Sequence, residues 1–418
     1  MLQSKQIVAD SFYFCYVNGC DLMVSKKWLN RNVAAMGVTS LFSDASHEMA
    51  TSALPTFLTV LVGPALAPQL LGIISGLSDG LASFMKIFSG WFSDKIGKRK
   101  PLAVLGYVLT GFFVGLIGFA TNWIEVLFYR VLAWVGRGTR EPPRDAMLAD
   151  SVDKRFYGHA FGFHRAMDTL GAIIGPLLAF FLLTLTDIRN IFYVSFIPGA
   201  LAVIAIAFGV KEQKSRIKKK VQGLFFHLKT LPYNFKLFVF VMFIFGIGNF
   251  NRTLLLLRVQ EVLTPTNGLL IAGSIAVFLY IIRNVAQAIA DYTVGSISDK
   301  IGKRILLAFV GFFLFGMVSL GFIYVTTNFY YLMILFILSG ISAAGYTALE
   351  KAYAADLLPS HIRGTGYGVL NTIDGIGDFI SSFVVGTIWV FVSPNLAFIY
   401  GAAVSFVAAF LLIVTKKF

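Results

Sequence analysis

One hexapeptide, Asp-Lys-Ile-Gly-Lys-Arg, occurs twice in this chain, at Asp94–Arg99 and again at Asp299–Arg304. Chance repetition of six residues within 418 is very improbable, and the step from 94 to 299 is about half the chain. The surroundings repeat as well. A serine precedes each copy (Ser93, Ser298), a glycine stands four residues before each aspartate (Gly90, Gly295), and apolar stretches lie on both sides. The chain therefore reads as a duplicated structure with two strongly basic hairpins between hydrophobic segments. Basic connections of this kind mark the cytoplasmic side of a membrane.

Composition agrees. Hydrophobic residues make up 57% of the chain, charged residues 13%, and the mean hydropathy is +0.77. A soluble protein carries roughly 25% charged residues. The net charge is +14, and the excess sits in Lys95–Lys100, Lys211–Lys220, Lys300–Arg304 and Lys416–Lys417. The alternating connections Val62–Gln69, Ala120–Asn122 and Thr326–Asn328 contain no Lys or Arg. That alternation places both termini in the cytoplasm and accounts for the charge without nucleic acid. The two cysteines, Cys15 and Cys20, precede the first span on the reducing side, so no disulfide is expected. Ala9–Val24 is interrupted by Asp10, Asn18 and Asp21 and is too short to span. Met23-Val-Ser-Lys-Lys-Trp reads as the natural start, with residues 1–30 a cytoplasmic extension.

A membrane-spanning helix needs about 20 apolar residues. Twelve such stretches are present, at 32–61, 68–92, 101–120, 122–149, 160–184, 191–210, 236–258, 268–292, 305–325, 329–355, 365–391 and 395–415. The expected architecture is all-α and polytopic. Two pseudo-symmetric six-helix bundles, 31–210 and 236–418, are joined by a basic cytoplasmic linker, 211–235. The duplication reaches beyond the hexapeptide. With Ala149-Asp150 set on Ala355-Asp356, Gly158 falls on Gly364, Gly162 on Gly368, Asp168 on Asp374 and Gly171 on Gly377. Arg144-Asp145 falls on Glu350-Lys351, a charge pair of reversed order, and Asp44 falls near Asn249.

Twelve spans in two halves, with Gly-x-x-x-Asp-Lys-x-Gly-Lys-Arg after spans 2 and 8, resemble the major facilitator superfamily over about residues 30–415. The block Gly-Arg-Gly-Thr-Arg-Glu-Pro-Pro-Arg-Asp-Ala at Gly136–Ala146 is similar to that of a bacterial branch and departs from the drug-exporter pattern. The resemblance implies a monomeric, non-enzymatic carrier in the bacterial inner membrane, with spans 1, 4, 7 and 10 around a central cavity. It implies that the doubled loop, comprising Gly90, Asp94, Gly97, Arg99, Gly295, Asp299, Gly302 and Arg304, is a cytoplasmic latch favouring the outward-open state. Physically, Gly90 and Gly295 allow close helix approach, Gly97 and Gly302 allow tight reversal, and Asp94 and Asp299 can cap the next helix or hold a neighbouring base.

Charges inside a membrane are costly and point to function. Span 1 carries Asp44, His47 and Glu48 on adjacent helical positions, with Asp44 about 18 Å into the span. Carboxyls at that depth beside a histidine suit proton coupling, and Asp168 in span 5 is a further coupling residue. Span 4 carries Arg130, Arg137 and Arg144 at seven-residue intervals, with Arg140, Glu141 and Asp145 between them. Pro142-Pro143 is expected to break that helix. Arg130 and Arg137 lie deep enough to meet substrate, together with Asn249 and Arg252 of span 7, and guanidinium pairs suit carboxylate or phosphate. Arg252 has a second reading, neutralisation by Asp44 or Glu48. Arg140, Glu141, Arg144, Asp145, Arg283, Glu350, Lys351 and Asp374 are read as gate or interdomain ion pairs.

No Gly-x-x-x-x-Gly-Lys-Ser/Thr motif is present, and the five histidines lack metal-ligand spacing. The expectation is a secondary carrier with no cofactor or metal, driven by protons, with a small organic anion (a carboxylate metabolite or siderophore) as substrate. The alternatives are a drug/proton antiporter acting on amphipathic compounds and a non-transporting receptor on the same scaffold.

Overall fold

The computed structural model describes residues 28–153, 156–212, 231–359 and 363–414. Cys15, Cys20, Met23 and most of the basic linker fall outside the described residues. Among the described residues the chain is helical, without a strand. A first group comprises α1 Arg31–Val62, α2 Ala67–Ile96, α3 Lys100–Leu116, α4 Trp123–Asp150, α5 Tyr157–Leu185 and α6 Ile188–Ile204. A second comprises α7 Tyr233–Gly246, α8 Thr253–Asn267, α9 Leu269–Ile301, α10 Lys303–Leu306, α11 Leu314–Gly321, α12 Phe329–Leu357, α13 Arg363–Phe391 and α14 Pro394–Val414. A π-helical stretch, Leu307–Phe313, joins α10 to α11.

Among the described residues, nine helices are long and apolar enough to cross a membrane. The helices at the other three expected spans are not among those nine. α4 carries the arginine stripe, α1 is rich in Ser and Thr with Asp44, His47 and Glu48, and the stretch 233–267 is divided into two short helices. Large apolar side chains stay exposed on the outer faces, such as Phe112, Phe181, Ile289 and Phe410. A surface of that kind is stable against lipid and would aggregate in water.

Helix ends follow local chemistry. Asn30 caps α1, its Oδ1 accepting from Asn32 N–H at 3.0 Å and Val33 N–H at 3.1 Å. The two hexapeptides supply the turns after α2 and α9, where Gly97 has φ +71° and Gly302 φ +103°, values that glycine adopts without steric cost. The break between α7 and α8 falls at Ile247–Arg252, and its freed backbone groups find side-chain partners. Ser381 Oγ donates to Asn249 O at 3.0 Å, Tyr400 OH donates to Ile247 O at 2.8 Å, and Asn251 N–H donates to Ser382 Oγ at 3.2 Å. Irregular backbone at membrane depth persists only when satisfied in this way.

The break expected at Pro142-Pro143 does not occur: α4 runs unbroken from Trp123 to Asp150. Pro142 removes the amide that would bond Gly138 O, and Ser89 Oγ of α2 donates to that carbonyl at 3.0 Å instead.

The two groups meet along three seams, α1 with α8, α2 with α13 and α5 with α9. Gly72, Gly76 and Gly80 bring α13 against α2, so closely that a Cβ at Gly76 would meet Phe379 O at 3.0 Å. Thr56 Oγ1 donates to Gln260 Oε1 at 2.7 Å, and Gln260 Nε2 donates to Thr59 Oγ1 at 3.0 Å. These contacts close the end of the molecule remote from the hexapeptide turns. Toward those turns the walls diverge around a vestibule of about 420 Å³.

Candidate functional site

Two connected compartments lie between the groups. The deeper one is a cavity of about 250 Å³ lined from α4 by Arg130, Trp134 and Arg137, from the α7–α8 break by Asn249, Asn251 and Arg252, and from α9 by Arg283 and Gln287. Asp79, Asp378, Phe245, Phe250, Phe315 and Tyr346 complete much of the wall. Arg137, Arg252 and Gln287 also border the vestibule, so they stand at the neck between the compartments.

At the neck, Arg252 Nη2 lies 2.6 Å from Glu48 Oε1, and Tyr280 OH donates to Glu48 Oε2 at 2.7 Å. His47 Nε2 is 3.5 Å from Glu48 Oε1, while its Nδ1 lies 2.9 Å from Ser43 O and 3.5 Å from Asp44 Oδ1. Of the two sequence readings of Arg252, the geometry is that of neutralisation, with Glu48 as the acid. Among the described residues, Arg252–Glu48 is the one ion pair that crosses between the groups. Asp79 adds another polar crossing, accepting from Trp134 Nε1 at 2.6 Å and from Asn251 Nδ2 at 2.8 Å.

Two guanidiniums on this cavity have no carboxylate within ion-pair distance among the described residues. Arg130, 2% exposed, stacks 3.4 Å over the Trp134 ring and donates to Thr51 Oγ1 at 3.0 Å, and its Nε has no partner. Arg283, 6% exposed, donates to Asn284 Oδ1 and Gln287 Oε1, both at 3.0 Å, and its Nε is likewise unpartnered. Arg137 differs, since Glu141 Oε1 is 3.1 Å from its Nε, and Lys86 Nζ reaches Glu141 Oε2 at 2.8 Å.

The remaining residues singled out in the sequence lie around the vestibule. Asp168 accepts from the Ser40 hydroxyl and lies 3.4 Å from His164 Nδ1. Arg140 donates to the Ser43 hydroxyl, lies 3.8 Å from Asp44 and stands 4.3 Å over the Tyr107 ring. Arg144 pairs with the adjacent Asp145 at 2.9 Å. Glu350 is buried beside Asp374, and Lys351 is exposed at the vestibule rim. Among the described residues, none of the eight read as gate or interdomain pairs makes an ion pair that crosses to the other group.

At the loops, Gly90 faces Pro142 across α2 and α4, with 3.4 Å to a Cβ built there. Arg99 pairs with Asp150 at the end of α4, and Lys303 pairs with Asp356 at the end of α12 at 3.0 Å. The side chains of Asp94 and Asp299 lie outside the described set, and Arg304 makes further interactions. At the start of α3 the Glu212 carboxylate accepts from Arg99 N–H at 2.8 Å and Lys100 N–H at 3.0 Å. The linker end folds back onto this turn, which sequence spacing could not reveal. Sequence reasoning also missed Trp134, Tyr280 and Gln287, none of which carries a signal beyond being a polar or aromatic residue in an apolar helix.

Two facing helix groups around a charged cavity, closed at one end and open at the other, define a membrane transporter. The chain belongs to the major facilitator superfamily, whose family model matches residues 36–292 and 267–417. It is 34% identical over 387 residues to an uncharacterized MFS-type transporter of Methanocaldococcus jannaschii, covering 92% of this chain and 95% of that protein. It is 26% identical to the multidrug resistance protein MdtG of Proteus mirabilis, over 74% of this chain and 76% of that one. The cis,cis-muconate transport protein of Acinetobacter baylyi is 24% identical, over 77% and 79%. Among solved structures, the nucleoside transporter NupG superposes with a TM-score of 0.78 at 12% identity, covering 93% of this chain and 100% of that one.

Proposed function

We propose that this chain is a secondary active transporter that moves a small organic anion across a cell membrane by alternating access, with protons as the driving ion. Its hexapeptide loops and both termini face the cytoplasm, as the distribution of basic residues supports. Its twelve spans form two bundles, 31–210 and 236–418, joined by the linker 211–235. The structure is then the inward-open state.

The observation that carries the anion assignment is the pair Arg130 and Arg283. They approach one cavity from opposite groups, both buried, both with an unpartnered Nε and, among the described residues, neither with a carboxylate within ion-pair distance. Buried charge without a counterion is costly, and a carboxylate arriving between two guanidiniums is bound through planar, bidentate hydrogen bonds. The cavity volume of about 250 Å³ lies below the roughly 300–1,000 Å³ usual for drug-sized ligands. That size favours a small carboxylate over a siderophore, and the muconate carrier among the relatives is consistent with it. The second reading, export of amphipathic compounds, draws on Phe245, Phe250 and Phe315 in the wall and on the MdtG relative.

The test is a thermal-shift panel on purified protein, with small mono- and dicarboxylates, inorganic phosphate and amphipathic cations. Small carboxylates are expected to raise the melting temperature, and Arg130→Gln and Arg283→Gln are each expected to remove that response. Stabilisation by cations and by no anion would move the assignment to the export reading.

A further inference from the structure

We propose that Glu350 and Asp374 share one proton and form the proton-binding site of this transporter. The proposal rests on the reading of the chain as a proton-driven carrier and names the site that reading requires. Glu350, on α12, is 3% exposed; it stands one turn from Tyr346, and Asp374 of α13 one turn from Asp378, two residues that line the same cavity. The two side chains are within hydrogen-bonding reach of one another. Glu350 Oε1 and Asp374 Oδ1 are both buried, and neither accepts a hydrogen bond from any donor. The Tyr346 hydroxyl reaches Asp374, but one buried oxygen of each acid stays without a donor; a proton carried by one carboxyl and donated to the other satisfies both. Buried polar atoms left without a partner are rare enough to require an explanation of this kind.

The acids of α1 are in a different position. Glu48 has Arg252 at 2.6 Å, and Asp44 has His47 at 3.5 Å and Arg140 at 3.8 Å. Among the described residues, neither Glu350 nor Asp374 has a cation within ion-pair distance. The duplication explains the contrast. Glu350 stands where the first half has Arg144, and Asp374 where it has Asp168. In the first half Arg144 is held by Asp145 and Asp168 by His164, so no acid pair forms there.

The groups facing the pair set how a proton would enter and leave. α12 contributes the Tyr346 hydroxyl and Lys351, α13 contributes Asp378, and α2 presents Lys86 and Asp79 across the seam. Tyr346 and Asp378 also line the substrate cavity, whereas Lys351 borders the vestibule. The pair therefore lies between the substrate site and the cytoplasmic opening. Lys86 is held by Glu141 at 2.8 Å here. Movement of α2 against α13 that carries its ammonium toward Asp374 or Asp378 stabilises the ionised pair and releases the proton to water. Occupancy of the proton site is in this way tied to the seam that moves.

The test is infrared spectroscopy of the native protein in lipid at neutral pH, reading the C=O band of protonated carboxyl groups and its shift in D₂O. The band is expected in the native protein and expected to lose intensity in both Glu350→Gln and Asp374→Asn. In liposomes both variants are expected to lose anion accumulation driven by a pH gradient. Absence of the band in the native protein overturns the proposal whether or not the variants fold, and so does an unchanged band in folded Glu350→Gln. The spectroscopic result does not depend on transport. A native protein that shows the band but neither binds nor exchanges anions refutes the carrier reading and leaves the proton site standing.

Discussion

Glu48 and Arg252 are 204 positions apart in the chain and 2.6 Å apart in the structure. A carboxylate at this depth is tolerable because Arg252, Tyr280 and His47 surround it. Removal of one member strands the other. Arg252→Ala is expected to cost roughly 2–5 kcal/mol, the range for truncating one partner of a desolvated charge pair, and to lower the melting temperature accordingly. A second change, Glu48→Gln, removes the stranded charge and is expected to restore most of the loss. A double variant no more stable than Arg252→Ala would show that the pair is not the origin of the cost. The depth of these residues was legible in the sequence, because helical rise fixes how far along a span each one stands. The choice between Asp44 and Glu48 was not. It turns on helix tilt and on the break at Ile247–Arg252, where regular periodicity stops predicting direction.

At the scale of elements, the two hexapeptide turns use the same device in both halves, a base in the turn held by an acid at the end of a long helix. Arg99 meets Asp150, and Lys303 meets Asp356. The duplication was plain in the sequence, and so was the correspondence of Asp150 with Asp356, but not that these two acids bind the turns. The halves differ in burial. The Arg99–Asp150 side chains are 11% and 35% exposed, against 26% and 54% for Lys303–Asp356. Exposed pairs contribute about 0–1 kcal/mol. Asp150→Asn is therefore expected to lower the melting temperature measurably, while Asp356→Asn is expected to leave it nearly unchanged. The reverse order would contradict this account of the loops. α4 shows the limit of local rules: Pro142-Pro143 signals a break, yet Ser89 of α2 satisfies the freed Gly138 carbonyl and the helix continues. A tertiary hydrogen bond overrides the local signal, and nothing in the sequence of α4 announces its donor.

For the whole molecule, the seams at the remote end are closed by Gln260, by the glycines of α2 and by α5 against α9, while the vestibule stands open on the side of the basic turns. Which end is open has no sequence signature, since the proposed alternating access needs one chain to populate both states. Asp145 on α4 and Lys351 on α12 line the vestibule from opposite groups, on helices that belong to none of the three seams. In a background with Cys15 and Cys20 replaced by serine, an Asp145→Cys/Lys351→Cys pair is expected to form a disulfide only when the vestibule closes. Oxidation should block transport, and reduction should restore it. Efficient transport with the disulfide formed would contradict alternating access through this vestibule. The central claim, that the cavity carries a small organic anion on Arg130 and Arg283, is tested most directly by counterflow in liposomes. Vesicles holding the purified protein are loaded with an unlabelled small dicarboxylate and exposed to a trace of the labelled one. The account predicts transient accumulation of label, abolished in Arg130→Gln and Arg283→Gln. Accumulation of labelled amphipathic cations, with none of any carboxylate or phosphate, would contradict it.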